Sequence, residues 1–315
     1  MLQNFRFTKF KFYLKAIEFL HLPLYKGSTF RGGLGNVFKR TLCISRDKKC
    51  DDCVLLTKCA YSYCFETPAK DKGKARSSNW PHPYIIEPPS EAKTAYQKGE
   101  QIELRLILIG KGIDYLPYFV LVFDELGKHG IGKGRGKYLL ERVTDNNEAP
   151  VYMSESHFLS DSYEIKTFDK IKEEISTFNS KRITLHFLAP TRIKYKGRLT
   201  KEPNFKILTE TLLRRISALS FYHCGEHFGY SDLIEKAGSV SIIKSDLKWR
   251  DWERYSSRQN TRMKLGGFVG TITFEGNLRE FMPFVKLGEY IHIGKQTSFG
   301  LGKYEIINTN NSGVL

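Results

Sequence analysis

LREFMPFVKLGEYIHIGKQTSFGLGKYEIINT, residues 278–309, decides how this chain folds. Its first part reads as a helix and its last part, LGKYEIINT, as a strand. Between them lie Gly294, Gly300 and Gly302, with Lys295, Gln296, Thr297, Ser298 and Lys303 interspersed. The segment is not a Walker A loop, because Gln296 follows Lys295 and Glu289 stands where that loop needs glycine. Nor does its glycine spacing match a dinucleotide fingerprint. Two readings stay open. Glycine can bring backbone N–H groups close to a phosphate, with lysines adding charge, or it can serve a tight helix-to-strand connection.

Working outward, KRITLHFLAPTRI (181–193) alternates as a strand does. FKILTETLLRRISALSFYHCG (205–225) follows, and Ile207, Leu208, Leu212, Ile216 and Leu219 fit a helical period. GGFVGTITFEG (266–276) is a further strand. The order strand, helix, strand, strand, helix, strand is the ferredoxin-like split βαβ arrangement, shared with RNA-recognition modules.

Upstream, residues 5–19 interleave Phe5, Phe7, Phe10, Phe12 and Leu14 with Arg6, Lys9, Lys11 and Lys15, close to a period of two. GSTFRGGLGNVFKRTLC (27–43) predicts a helix capped by Ser28, despite Gly32, Gly33 and Gly35. Each internal glycine costs roughly 1 kcal/mol, tolerable where a backbone or ligand comes close. Residues 67–100 read mainly as loop, 101–110 as a strand, and 117–127 as helical or extended. GIGKGRG (130–136) reads as a basic turn into a strand, either an exposed hairpin or a phosphate contact. The polar stretch 160–180 separates an N-terminal domain, 1–165, from a C-terminal one, 178–309.

The chain has 315 residues and a formal charge of +16, from 50 Lys and Arg against 34 Asp and Glu. Such an excess points to a polyanion, with nucleic acid ahead of a membrane surface. No apolar run approaches the roughly 20 residues of a spanning helix, and the N-terminus lacks the apolar stretch of a signal peptide. A cytoplasmic protein with reduced thiols is therefore expected, and neither a membrane partner nor a small-molecule cofactor. Residues 192–215 hold eight Lys or Arg against Glu202 and Glu210; 244–264 hold seven against three acids, interleaved with Trp249, Trp252 and Tyr255. Bases can stack on such rings. Five of six cysteines crowd between 43 and 64, spaced C-x6-C-x2-C-x5-C-x4-C. Cys43, Cys50, Cys53 and Cys59 are the chosen thiolate set for a structural zinc in a knuckle over 43–66, against a set of unligated thiols. Cys224 reads as core. No carboxylate cluster suggests a two-metal nuclease.

IHIGKQTSFGLGKYEI closely resembles the C-terminal signature of the CRISPR-associated precursor-RNA processing endoribonucleases, the "Cas six" family of the RAMP superfamily. WERYSSRQNTRMKLGGFVGTITFEG resembles the segment leading into that signature. LYKGSTFRGGLGNVFKRTLC, followed by CDDCVLLTKCAYSYCFETP, resembles the N-terminal helix and cysteine knuckle of one branch, which GIGKGRGKYLL also fits. The resemblance implies an α+β fold of two tandem ferredoxin-like (RRM-like, RAMP) domains, with the knuckle inserted in the first. It implies CRISPR repeat RNA, the pre-crRNA, as partner, with CRISPR effector subunits as further partners. Cleavage would be metal-independent, by 2′-hydroxyl attack giving 2′,3′-cyclic phosphate and 5′-hydroxyl ends. Relatives of this branch often carry His where this chain has Asn36, and a neutral amide cannot shuttle protons. His21 is the substitute, with Tyr25, Asn36, Lys39 and Arg40 completing the expected catalytic group. Expected RNA contacts are Arg31, Lys133, Arg135, Lys137, Arg192, Lys194, Trp249, Arg250, Arg258, Arg262, His292, Lys295, Gln296, Thr297 and Ser298. The rival expectation is a non-catalytic RAMP-type RNA-binding subunit of an effector complex, which Asn36 favours.

Overall fold

A computed structural model describes all residues except 46–49, 68–79, 157, 177, 252, 257–260 and 308–315. It divides into two units. The N-terminal unit comprises Arg6–Ile165 with Tyr222–Cys224; the C-terminal unit comprises Met1–Phe5, Lys166–Phe221 and Gly225–Leu315.

In the N-terminal unit the chain runs β1 (Arg6–Ala16), β2 (Leu20–His21), α1 (Gly27–Leu42), β3 (Tyr84–Glu87), β4 (Ala95–Tyr96), β5 (Gln101–Ile109), α2 (Leu116–His129), β6 (Tyr138–Thr144), β7 (Pro150–Met153) and β8 (Phe158–Leu159). The sheet order β3-β5-β1-β6 is ferredoxin-like, and β7 and β8 extend it. Phe10, Phe12 and Leu14 of β1 share a buried core with Phe30, Leu34 and Phe38 of α1 and Phe119 and Phe123 of α2. On the opposite face of β1, Lys9 pairs with Glu87 at 3.1 Å, Lys11 with Glu148, and Arg142 sits 3.9 Å over the Tyr13 ring. The lysine-aromatic alternation is thus a strand with a packed side and an ion-paired side. Two local expectations change. Tyr84–Glu87, expected within loop, is a fully buried strand. Helix α1 starts at Gly27 after Lys26, and no side-chain cap bond is formed. Lys26 is buried instead, donating to the Glu91 carbonyl at 2.8 Å, and burial lowers its pKa.

The C-terminal unit runs β9 (Lys166–Thr167), α3 (Phe168–Glu174), β10 (Arg182–Thr191), β11 (Lys194–Tyr195), β12 (Arg198–Leu199), α4 (Phe205–Leu219), α5 (Ser231–Lys236), β13 (Ser241–Arg250), β14 (Glu253–Ser256), β15 (Thr261–Lys264), β16 (Gly267–Glu275), α6 (Met282–Ile291) and β17 (Tyr304–Ile307). Its sheet order, β13-β16-β10-β17, repeats the ferredoxin-like pattern. Leu185, Phe187, Ile272, Phe274 and Tyr304 are buried along with Leu208 and Leu212 of α4 and Val285 of α6. Phe205 meets Phe274 at 5.1 Å between ring centroids, and the Tyr304 hydroxyl donates to the Val285 carbonyl at 2.6 Å. Cys224, expected as core, is only half-buried. Among the described residues no helix is long and apolar enough to cross a membrane.

Candidate RNA-binding and cleavage face

Two glycine-rich loops occupy equivalent places, each between the second helix and the fourth ferredoxin strand of its unit. In the first, residues 130–136 fold against β2. The Lys133 amide donates to the His21 carbonyl at 2.9 Å, and the two residues form an antiparallel bridge. Glycine at 132 is required. Its φ is +78°, and a Cβ there would lie 2.3 Å from the His21 carbonyl oxygen. The docked loop leaves Lys133 and Arg135 exposed, and neither has an ion pair among the described residues. Lys137 is also exposed, but Glu18 pairs with it at 3.4 Å.

The expected catalytic residues are held by β2 and α1. His21 is exposed at the end of β2. Asn36 and Arg40 are exposed on α1, one turn apart, and Gly32 lies one turn before Asn36 on the same side. A Cβ on Gly32 would meet nothing within 4 Å, whereas one on Gly33 would press on Leu126 and one on Gly35 on Phe65. Packing therefore accounts for two of the three helix glycines, and the third leaves open surface beside Asn36. Lys39 is half-buried, its ammonium 5.9 Å over the Tyr61 ring. Tyr25 turns inward; burial and then Glu87 push its hydroxyl pKa up, so it stays neutral. Arg31, expected at RNA, also turns inward, 5.2 Å over Phe65 and near the Tyr84 hydroxyl. Among the described residues no side-chain hydrogen bond joins His21 to Asn36, Lys39 or Arg40; the bridge joins His21 to Lys133.

The second loop, 294–302, is built inward. Gly302 has φ +74°, and a Cβ there would lie 1.8 Å from the Ile293 carbonyl oxygen. The Lys295 amide donates to the Arg192 carbonyl at 2.9 Å. Thr297 and Ser298 are buried, Gln296 is half-buried, and His292 is fully buried with Nδ1 donating to the Leu301 carbonyl at 3.1 Å. Of the residues expected to touch RNA here, Lys295 alone is exposed. The tight-connection reading describes this loop. Burial first, then Arg214 and Lys194, lower the Lys295 pKa, so these three cations share one region.

Arg192 donates to the Gly266 carbonyl at 2.6 Å, beside Asp251. Asp251 also accepts from the Trp249 indole at 2.8 Å, and Lys201 lies 5.8 Å over that ring. Arg250 is exposed at the end of β13. Arg258 and the Arg262 side chain lie outside the described residues.

One residue that the sequence reading missed is Arg215. Its Nε donates to the carbonyls of Ile291 and His292, at 3.0 and 3.2 Å, closing the C-terminus of α6 just before the loop. Burial pulls its pKa down to about 9, still above neutrality, so the charge persists. The available signal was its position: Leu208, Leu212, Arg215 and Leu219 form one helical line, three of them buried and apolar.

All six cysteines are free thiols. Burial, then Glu66, raise the Cys50 pKa, with Lys39 opposing; Cys43 and Cys59 add to the rise, so these thiols are neighbours. Among the described residues, however, no group of three or more His, Cys, Asp or Glu side chains could hold a metal ion. The thiolate set expected for zinc is not assembled as a metal site.

Comparison with known proteins places this architecture. An uncharacterized protein of Archaeoglobus fulgidus is 25% identical over 292 residues, covering 91% of this chain and 93% of its own. A Cas6 product complex matches with a TM-score of 0.59 at 17% identity, over 95% of this chain and 99% of that one. Thermus thermophilus Cas6 matches with a TM-score of 0.55 at 15% identity, over 96% and 98%. A partial Cas6-RT-Cas1–Cas2 complex matches with a TM-score of 0.61 at 15% identity, over 98% of this chain and 47% of that one. At these identities the structures establish the fold. Residues 5–164 match a family model described as an N-terminal domain, and residues 185–304 match that of the CRISPR-associated endoribonuclease Cas6. Residues 185–304 thus carry a domain of the CRISPR-associated endoribonuclease Cas6 family, and the chain has the fold of solved Cas6 structures.

Proposed function

We propose that this protein binds CRISPR repeat RNA and cleaves the precursor transcript without a metal ion, making guide crRNA. RNA cleavage is the family's activity; the substrate, the chemistry and the residues are our reading. What supports it most is the outward face of the N-terminal unit, where His21 is bridged to Lys133 next to exposed Arg135, both cations without ion pairs among the described residues.

In the step we assign, the 2′-oxygen attacks the adjacent phosphorus, forming the cyclic phosphate as the bond to the 5′-oxygen breaks. A base must take the 2′-proton and an acid must protonate the leaving oxygen. His21 is the imidazole offered to this chemistry. Arg40 and Lys39 would offset charge on the phosphorane, and Asn36 would hydrogen-bond and orient the RNA. Tyr25, half-buried with its hydroxyl held neutral, acts by supporting the segment between β2 and α1. Lys133, Arg135, Lys137, Lys194, Arg250 and Lys295 are the proposed phosphate contacts, with Trp249 as an aromatic contact.

Incubation of the protein with repeat RNA in EDTA tests the proposal. Discrete cleavage, abolished by a 2′-deoxy substitution at the cut, is the expected result; tight binding with intact RNA overturns it. That second outcome would favour a non-catalytic RNA-binding subunit of an effector complex, the reading to which the neutral Asn36 side chain points. A structural zinc on Cys43, Cys50, Cys53 and Cys59 is a separate proposal, resting on their spacing and on the shared surroundings of three of them. Metal would have to gather these thiols. Less than roughly half an equivalent of zinc in the purified protein overturns it.

A further inference from the structure

Phe19 is half-exposed, at 52%, although its neighbours Leu20 and Leu22 are fully buried. An aromatic ring left in water forgoes the burial that usually stabilises a fold. Its backbone is fixed: a Cβ on Gly136 would lie 2.1 Å from the Phe19 carbonyl oxygen. Ile17 and Glu18 both donate to the Lys137 carbonyl, at 3.0 and 3.2 Å. The ring therefore projects from an ordered segment. Residues two apart on an extended chain share a side, so Phe19 and His21 point the same way. Bridge partners also share a side, which adds Lys133. Glu18 neutralises Lys137, but Lys133 and Arg135 keep their charge unpaired among the described residues.

We propose that Phe19 is a stacking platform for one unpaired base of RNA, placed beside His21, with Lys133 and Arg135 holding the flanking phosphates. An aromatic ring among unpaired cations suits a single strand, because every base has a face to stack and every nucleotide a phosphate to neutralise. A duplex offers no free base, so the nucleotide next to the cut must be unpaired. This inference rests on the RNA reading of the same face.

A single-stranded oligouridylate carrying one 2-aminopurine tests it, by fluorescence and by titration. The wild-type protein is expected to quench the probe on binding. Phe19→Ala should lose the quench and bind on the order of tenfold more weakly, with an unchanged dependence on salt. Phe19→Trp should restore both. Because the side chain is exposed, the melting temperature of Phe19→Ala should equal that of the wild type, which separates lost stacking from misfolding. If Phe19→Ala binds and quenches like the wild type while Lys133→Ala weakens binding, the platform is overturned and the RNA reading stands. If the wild type binds neither this probe nor repeat RNA, both fail together.

Discussion

The two glycine-rich loops sit at the same point of the same fold and are used in opposite ways. Residues 130–136 dock their backbone on β2 and turn Lys133 and Arg135 outward. Residues 294–302 dock on Arg192 and on themselves, burying Thr297 and Ser298 and leaving Lys295 outside. Glycine serves close backbone approach in both, at Gly132 and at Gly302. What differs is the side chains between the glycines. Glycine content therefore marks where a loop is tight, and the neighbours decide whether tightness presents a charge or completes a core.

The sharpest break between the loops should appear in stability. Gly302→Ala adds a Cβ at positive φ into the Ile293 carbonyl and is expected to cost roughly 2–4 kcal/mol. Gly134→Ala, also at positive φ but with nothing within 4 Å, should cost about 1 kcal/mol. Urea denaturation of the two variants decides it; equal costs would mean that the second loop yields as easily as the first. Next is the rate of cleavage. Since the first loop is anchored on the His21 carbonyl, His21→Ala should slow repeat cleavage by about 10²–10⁴-fold, and Asn36→Ala by less. Equal single-turnover rates would remove His21 from the chemistry. Third, replacing Lys133 and Arg135 together by alanine should make the plot of log affinity against log salt shallower by about 1.4, as expected for two phosphate contacts on a single strand. Stability should move by less than about 0.5 kcal/mol, because both side chains are exposed. A slope unchanged by the double substitution would mean the outward loop does not meet RNA.

The fold was legible in the sequence because its signals are periodic. The alternation in β1 and β10 and the helical stripe of α4 are geometric consequences of burying one side. Strand β13 was counted in the expected order but not located in the sequence. From Ser241 to Arg250 it is exposed or half-exposed throughout, so no alternation marks it, and the sequence showed a basic stretch instead. Strand β3 escaped for the opposite reason: all four of its residues are buried, giving a run too short to tell from loop. The cations of the candidate site were legible as charge but not as direction. Arg31 and Arg135 read alike in sequence, yet one turns in over Phe65 and the other turns out. Such sorting depends on tertiary partners that a one-dimensional pattern does not contain. Arg215 shows the same limit, a charge counted within a basic stretch that instead closes a buried helix end.

Lys295 sharpens the comparison by the smallest effect, because it is the second loop's exposed link to solvent. Burial, then Arg214 and Lys194, hold its pKa below the ordinary lysine value. The free protein should therefore lose this charge earlier than usual as pH rises. A phosphate bound alongside would favour the ammonium, so RNA binding should take up a proton in that alkaline range, and affinity should fall as pH climbs through it. Below the range both states are charged and the affinity is flat. Lys295→Arg keeps its charge throughout and should flatten the curve, since guanidinium stays protonated. The difference between the two curves should be no more than a few-fold, the worth of a single solvent-screened contact of about 1 kcal/mol or less. Parallel curves for wild type and Lys295→Arg would leave the second loop with no electrostatic part in holding RNA, and would assign its glycines wholly to the turn that joins α6 to β17.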